Sequence, residues 1–275
     1  MIPKYAIVRD VATTYDKCVK PAGSITPIDV PLAQAQHRAY CNVLKKSGLK
    51  LIRIPADDRF PDCCFVEDPA IVIGDTAIIS RLGVKSRRGE EMAVRNTLAR
   101  YKTIRWIKPP GTIEGGDVLQ IGRNIYIGLS ERTNLSAIRQ VKAIAAEHRY
   151  EVIPVRVKGM IHLKTGCTYL GNNCVTLVKG PAQPDGRSGG QLDEKSFAGY
   201  KRIIIPKLES YSANCLSING RVLIPKGYPR TRQLIKNNAR LTGCEVGQGF
   251  KIIELDMSEF RKGGGSLTCL SLLFS

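Results

Sequence analysis

Three absences narrow this 275-residue chain before any motif is read. No two cysteines are spaced as C-x-x-C, so a zinc ribbon is not expected. No apolar run approaches the ~20 residues that cross a bilayer, and the first ten residues lack the long apolar stretch of a secretory leader. The expected location is therefore the cytoplasm, with no membrane partner. Histidine is also scarce: there are only three, at positions 37, 148 and 162, so any imidazole chemistry has few candidates.

Nine cysteines are present, an odd number that includes the adjacent pair Cys63-Cys64. That is an awkward start for a disulfide framework, and each cysteine is first read as a small buried hydrophobe. Lysine and arginine outnumber the acids by 42 to 24, for a net charge of +18. Aromatics make up only 6 %, no nucleic-acid motif is visible, and the charges are scattered apart from short pairs such as Lys45-Lys46 and Arg87-Arg88. Nucleic acid is accordingly not an expected partner; a basic field that attracts anions is the blander account.

The strongest signal is a repeat. Apolar hairpin patterns occur at 70–79, 118–127, 168–178 and 215–224, with turns at Gly74-Asp75, Gly122-Arg123, Asn172-Asn173 and Asn219-Gly220. The turns recur about every 50 residues, a period that marks a repeat architecture. Helix-like stretches at 31–47 and 133–148 and lone strands at 50–54, 103–107, 151–157 and 202–205 fall between hairpins. Strands at 6–8 and 268–274 would pair the chain ends into a fifth unit and close the ring. The expected fold is α/β: a five-module β/α propeller with pseudo-fivefold symmetry, one catalytic domain over 1–275 built from ββαβ-type modules. The polar stretch 180–200 reads as a surface loop, and 13–30 as a candidate lid.

Equivalent positions in a ring converge on its axis. Glu67-Asp68 precede the first hairpin, Glu114-Gly-Gly-Asp117 the second, His162 the third and Asn214 the fourth. Cys269 opens the last strand, after Gly263-Gly264-Gly265. Taken alone, each is more often a turn cap, a core group or a loop. Together they put carboxylates, an imidazole and a thiol at one centre.

The motifs at 60–69, 85–90, 111–118, 128–134, 161–165, 213–215 and 264–271 run in order along nearly the whole chain. Through them the sequence resembles the dimethylarginine dimethylaminohydrolase family of the pentein, guanidine-modifying superfamily. The resemblance implies a five-module propeller that hydrolyses Nω-methylated arginine to citrulline and an alkylamine, without cofactor or metal. It implies that Cys269 attacks the guanidine carbon, that His162 handles protons, and that Glu114 holds guanidine nitrogens. Asp68 would share that task. Glu67 joins the substrate-binding set, Asp62 would take the α-amino group, and Arg87 and Arg132 the α-carboxylate. A small guanidine is the expected partner, and a homodimer is a candidate assembly.

Two related readings stay open. Arginine deiminases and amidinotransferases also carry Glu-Gly-Gly-Asp, a catalytic His and a late Cys, but their His is typically followed two positions on by Asp. Here that position is Lys164, which leaves fewer acceptors and suits an N-methylated substrate. Gly264, where many dimethylargininases carry Asp, is closer to the deiminase pattern. A third reading is a non-catalytic pentein that binds RNA or the ribosome.

Overall fold

The computed structural model describes residues 2–21, 23–179, 191–238 and 251–275. Its elements follow the repeat. The chain begins with β1 (Tyr5–Arg9), α1 (Val30–Lys46) and β2 (Lys50–Ile54). Next come β3 (Ala70–Ile73), β4 (Thr76–Ile79), α2 (Glu91–Leu98) and β5 (Thr103–Trp106). A third group is β6 (Val118–Ile121), β7 (Asn124–Leu129), α3 (Leu135–Glu147) and β8 (Glu151–Lys158). Then follow α4 (Leu163–Gly166), β9 (Cys167–Gly171), β10 (Cys174–Val178), β11 (Gln191–Leu192) and β12 (Lys201–Ile205). The last are β13 (Leu216–Ile218), β14 (Arg221–Pro225), α5 (Pro229–Asn237), β15 (Lys251–Leu255), α6 (Ser258–Lys262) and β16 (Leu272–Phe274).

Five small sheets result, ordered β16-β1-β2, β3-β4-β5, β6-β7-β8-β11, β9-β10-β12 and β13-β14-β15. Each has one plan: a middle strand pairs antiparallel with an inner strand and parallel with an outer one. The ends close the ring as expected, with Tyr5 opposite Phe274 and Ile7 opposite Leu272. The inner strands β3, β6, β9, β13 and β16 all line one cavity of about 280 Å³, which is the propeller axis.

Local chemistry explains the elements. The turns at Asn172-Asn173 and Asn219-Gly220 hold both residues at positive φ. A type I′ hairpin turn demands this, and Asn and Gly reach it at low cost. Asp29 caps α1 by accepting from the Leu32 amide at 2.9 Å, and Asn134 caps α3 by accepting from Ala137 at 3.0 Å. The apolar faces of these helices pack between modules. Ile138, Val141 and Ala145 of α3 meet Ile73, Ile78 and Ile127, while Tyr40 and Leu44 of α1 join Val8, Phe260 and Leu267. Each such large side chain contributes roughly 1.5–3 kcal/mol by leaving water.

Two expectations need correction. Residues 180–190 of the expected loop lie outside the described residues, but 191–200 are structured. Gln191–Leu192 adds an antiparallel strand to β8, and Glu194–Phe197 forms a 3-10 turn with Phe197 buried. Between β10 and β12 of the fourth module the described residues hold β11 and a 3-10 turn. The last strand is shorter than 268–274: Thr268–Leu270 is a 3-10 turn and pairing starts at Leu272. The turn is held because Thr268 donates its amide to Asn214 Oδ1 at 3.1 Å instead of to a strand.

Candidate active site

In four of the modules the segment entering the inner strand delivers a polar side chain to the same end of the axis. Glu67 and Asp68 stand before β3, Glu114 before β6, Asn214 before β13, and Cys269 in the 3-10 turn before β16. The remaining segment delivers His162, at the start of α4 just before β9. The network that joins them is specific. His162 Nε2 lies 2.8 Å from Glu114 Oε2 and 4.0 Å from Asp68 Oδ1. Asp68 Oδ1 accepts the Gly116 amide at 3.0 Å, and Glu114 Oε1 accepts the Gly83 amide at 3.0 Å. Glu67 binds the Lys164 ammonium and also accepts from Thr268 Oγ1 at 2.8 Å. Asn214 donates to Thr268 Oγ1 at 3.0 Å and to the Lys164 carbonyl at 3.1 Å.

Two connected hollows open on this network. The wide one, about 420 Å³, is lined by Cys269, His162, Glu67, Arg132, Lys164 and Asn214, with Met160, Ile161 and Tyr211 as apolar walls. Val19, Lys20 and Pro21, from the candidate lid, reach its edge. A narrow cleft of about 30 Å³ is bordered by Asp62, Asp68, Arg87 and Glu114, and again by Cys269, His162 and Arg132. Every expected site residue is therefore at one of the two hollows. Glu67, Lys164 and Thr268 also border the axial cavity, so their contacts form the floor between it and the site.

The arginines differ in state. Arg87 is buried, with Nη1 on Asp68 at 2.8 Å and Nε and Nη2 on Glu90. Arg132 is 20 % exposed and sits 3.7 Å from Glu114. Asp62 accepts the Val19 amide on both oxygens, at 3.1 and 3.3 Å, and burial raises its carboxyl above the usual range.

Burial opposes charge on His162, but Asp68, the Glu114 hydrogen bond and Asp117 outweigh it and raise the imidazole to about 9. Burial also opposes ionisation of Glu114, yet the His162 hydrogen bond and both arginines hold its carboxyl well below the ordinary value. The Cys269 thiol is pushed far up, by burial first and then by Glu67 and Asp68. The resting pair is thus an imidazolium beside a neutral thiol. Carboxylate oxygens of Asp68 and Glu114 lie within 4.8 Å of each other and of His162, and as acceptors they suit a cation. A planar guanidinium is one such cation, and its donor fork matches carboxylate oxygens.

Lys164, Thr268 and Asp117 hold the site without having been assigned to it by sequence. Asp117 is fully buried. It accepts from Ser130 and Thr133 hydroxyls at 2.7 Å each and from the Leu163 amide at 2.9 Å. It thereby ties the loop bearing Arg132 to the residue after His162. The Glu-Gly-Gly-Asp motif was its only signal.

Comparison with known proteins agrees with this geometry. The sequence model of the arginine deiminase family matches residues 57–195. The chain is 40 % identical over 248 residues to N(G),N(G)-dimethylarginine dimethylaminohydrolase of Pseudomonas aeruginosa, covering 90 % of each chain. It is 31 % identical to the enzyme of the same name from Streptomyces coelicolor, over 89 % of this chain and 87 % of the relative. The crystal structure of a cysteine-to-serine mutant of the Pseudomonas enzyme, complexed with citrulline, superposes with a TM-score of 0.88. It is 36 % identical and covers 100 % of both chains.

Proposed function

The chain belongs to the dimethylarginine dimethylaminohydrolase family, and on that premise we propose that it hydrolyses Nω-methylated arginine to citrulline and an alkylamine. One observation carries the reading: a half-buried thiol, an imidazole paired with a carboxylate, and further carboxylates surround one hollow.

The chemistry follows from the charges. The guanidinium enters beside Asp68 and Glu114, which hold its nitrogens and keep it planar. Its positive charge next to Cys269 offsets the acids that keep the thiol protonated, so the thiol releases its proton to solvent as substrate arrives and the thiolate forms. Sγ attacks Cζ, and the C–N bond to the alkylamine breaks as His162, already protonated, donates its proton to the leaving nitrogen. The neutral imidazole then takes a proton from water, which attacks the thiouronium carbon and releases citrulline and the thiol. At the far end of the substrate, Arg132 takes the α-carboxylate and Asp62 the α-amino group. Arg87 joins Arg132 once the guanidinium replaces it at Asp68. Glu67 stays paired with Lys164 and shapes the floor. We read 1–275 as one catalytic domain. The described cysteines are all free, which fits the reducing cytoplasm as its location. No described helix is long and apolar enough to cross a membrane.

The arginine deiminase match keeps a second reading alive: release of ammonia from arginine itself. A panel of monomethylarginine, asymmetric dimethylarginine, arginine and agmatine separates the two. Amine release from the methylated pair should exceed ammonia release from arginine by kcat/KM; the reverse order would overturn the proposal.

A further inference from the structure

The basic residues that look scattered along the sequence are gathered by the fold. In four modules the outer strand begins beside the hairpin turn, and in the module of the chain ends beside Lys4, in each case at the end of the axis opposite Cys269. The hydrogen bonds that mark this level are Lys50 to Lys4, Thr103 to Asp75, Glu151 to Arg123, Lys201 to Asn173 and Lys251 to Gly220. A period near 50 in sequence thus becomes a ring in space, and the ring is basic. Lys4, Lys50, Arg123, Lys201 and Lys251 are exposed, and Lys102 is bound to the Gly74 and Ser275 carbonyls. Helix α1 ends at the same level with Lys45 and Lys46.

Few acids offset them. At this level the described acids are Asp75, Glu147 and Glu151, and Glu147 is paired with Arg105. The carboxylates of Asp62, Glu67, Asp68, Glu90, Glu114 and Asp117 are instead buried at the catalytic end. The carboxylates of the catalytic end are paired there with Arg87, Arg132, His162 and Lys164 and do not offset the ring, and the catalytic chemistry uses none of the ring cations.

We propose that this face binds the phosphodiester backbone of nucleic acid without sequence preference. Charge complementarity identifies the occupant: a ring of cations at one level, open to solvent, matches a dense line of phosphates. Of the large apolar side chains exposed among the described residues, only Ile2 and Tyr101 lie at this end. That is too little apolar surface to insert into lipid, which favours nucleic acid over a membrane. Tyr101, 41 % exposed between Arg100 and Lys102, offers a ring on which an unpaired base stacks. The surface is separate from the catalytic hollow and does not depend on the hydrolase reading.

The test is fluorescence anisotropy with a labelled oligouridylate of ~30 nucleotides, titrated at several salt concentrations. The wild type should bind with a steep salt dependence. The triple Lys50→Glu, Lys201→Glu, Lys251→Glu should weaken binding ~10-fold or more and flatten the salt slope by ~0.7 for each phosphate no longer neutralised. A control triple of exposed lysines off the ring, Lys108→Glu, Lys142→Glu, Lys207→Glu, changes the net charge equally and should cost far less. The neutral triple Lys50→Gln, Lys201→Gln, Lys251→Gln should give a smaller loss in the same direction, which holds even where charge reversal impairs folding. No binding by the wild type, equal losses in the ring and control triples, or capture by phosphatidylserine vesicles without RNA binding would each overturn the proposal.

Discussion

Lys164 reaches from the third inner segment to Glu67 of the first, 97 positions earlier in the chain, and the two form a buried ion pair at the floor of the site. Their side chains are 13 % and 10 % exposed. Removing one partner of such a pair strands a charge. Lys164→Met should therefore lower unfolding free energy in urea by roughly 3–5 kcal/mol. The double variant Lys164→Met, Glu67→Gln should recover most of that loss, since no bare charge is left. Equal stability of wild type and Lys164→Met would show that the pair is solvated and is not the floor.

Gly116 leaves room for the His162 imidazole. A Cβ there would lie 2.4 Å from His162 Nδ1. Gly116→Ala should displace the ring from Glu114 while Cys269 stays in place. Turnover should fall ~10²–10⁴-fold, the range that a placed proton donor supplies. Calorimetric binding of methylarginine should persist, separating a lost proton donor from a collapsed site.

The imidazolium of His162 gives a pH signature. Its value is raised from 6.5 to about 9. A raised folded value means that stability from this group is complete below about 6.5 and fades as pH rises through about 9. The alkaline limb of kcat/KM should fall in the same region, because the leaving amine needs that proton. Glu114→Gln removes the hydrogen-bonded carboxylate, so the imidazole titration, followed by NMR, should move to lower pH. An unmoved titration would assign the shift to Asp68 and Asp117 alone.

The sequence is most readable where local chemistry decides. Asn172-Asn173 and Asn219-Gly220 mark their turns because few residues accept positive φ. The stripe Leu135, Ile138, Val141, Ala145 marks α3 because its period is that of a helix. Helix α2 escaped because Glu91–Leu98 is short and buries only Val94 and Leu98. In the site, the types and order of Glu114, His162 and Cys269 were legible from the repeat and the family motifs. Their partners were not. Thr268 meets Glu67 across 201 positions and Asn214 across 54, and nothing in a linear pattern encodes such pairings. The charge ring escaped for the same reason: residues about 50 apart look scattered until the modules are set around one axis.

Cys269 is set apart from the other described cysteines by access. The rest are buried, whereas Cys269 is half-buried and lines both hollows. Its backbone turn presents Sγ toward the Ser266 amide at 3.4 Å, a donor that favours the thiolate. Serine at this position keeps the size and the hydrogen bond but has no accessible anion near neutral pH. Cys269→Ser should therefore abolish citrulline formation yet still bind methylarginine, because the carboxylates and arginines proposed to hold it are untouched. Cys215→Ser, at a fully buried thiol bonded to the Ser212 carbonyl at 3.0 Å, should retain turnover in whatever fraction folds. Citrulline assays beside calorimetric binding distinguish the two, and measurable turnover by Cys269→Ser would remove the covalent step from the mechanism.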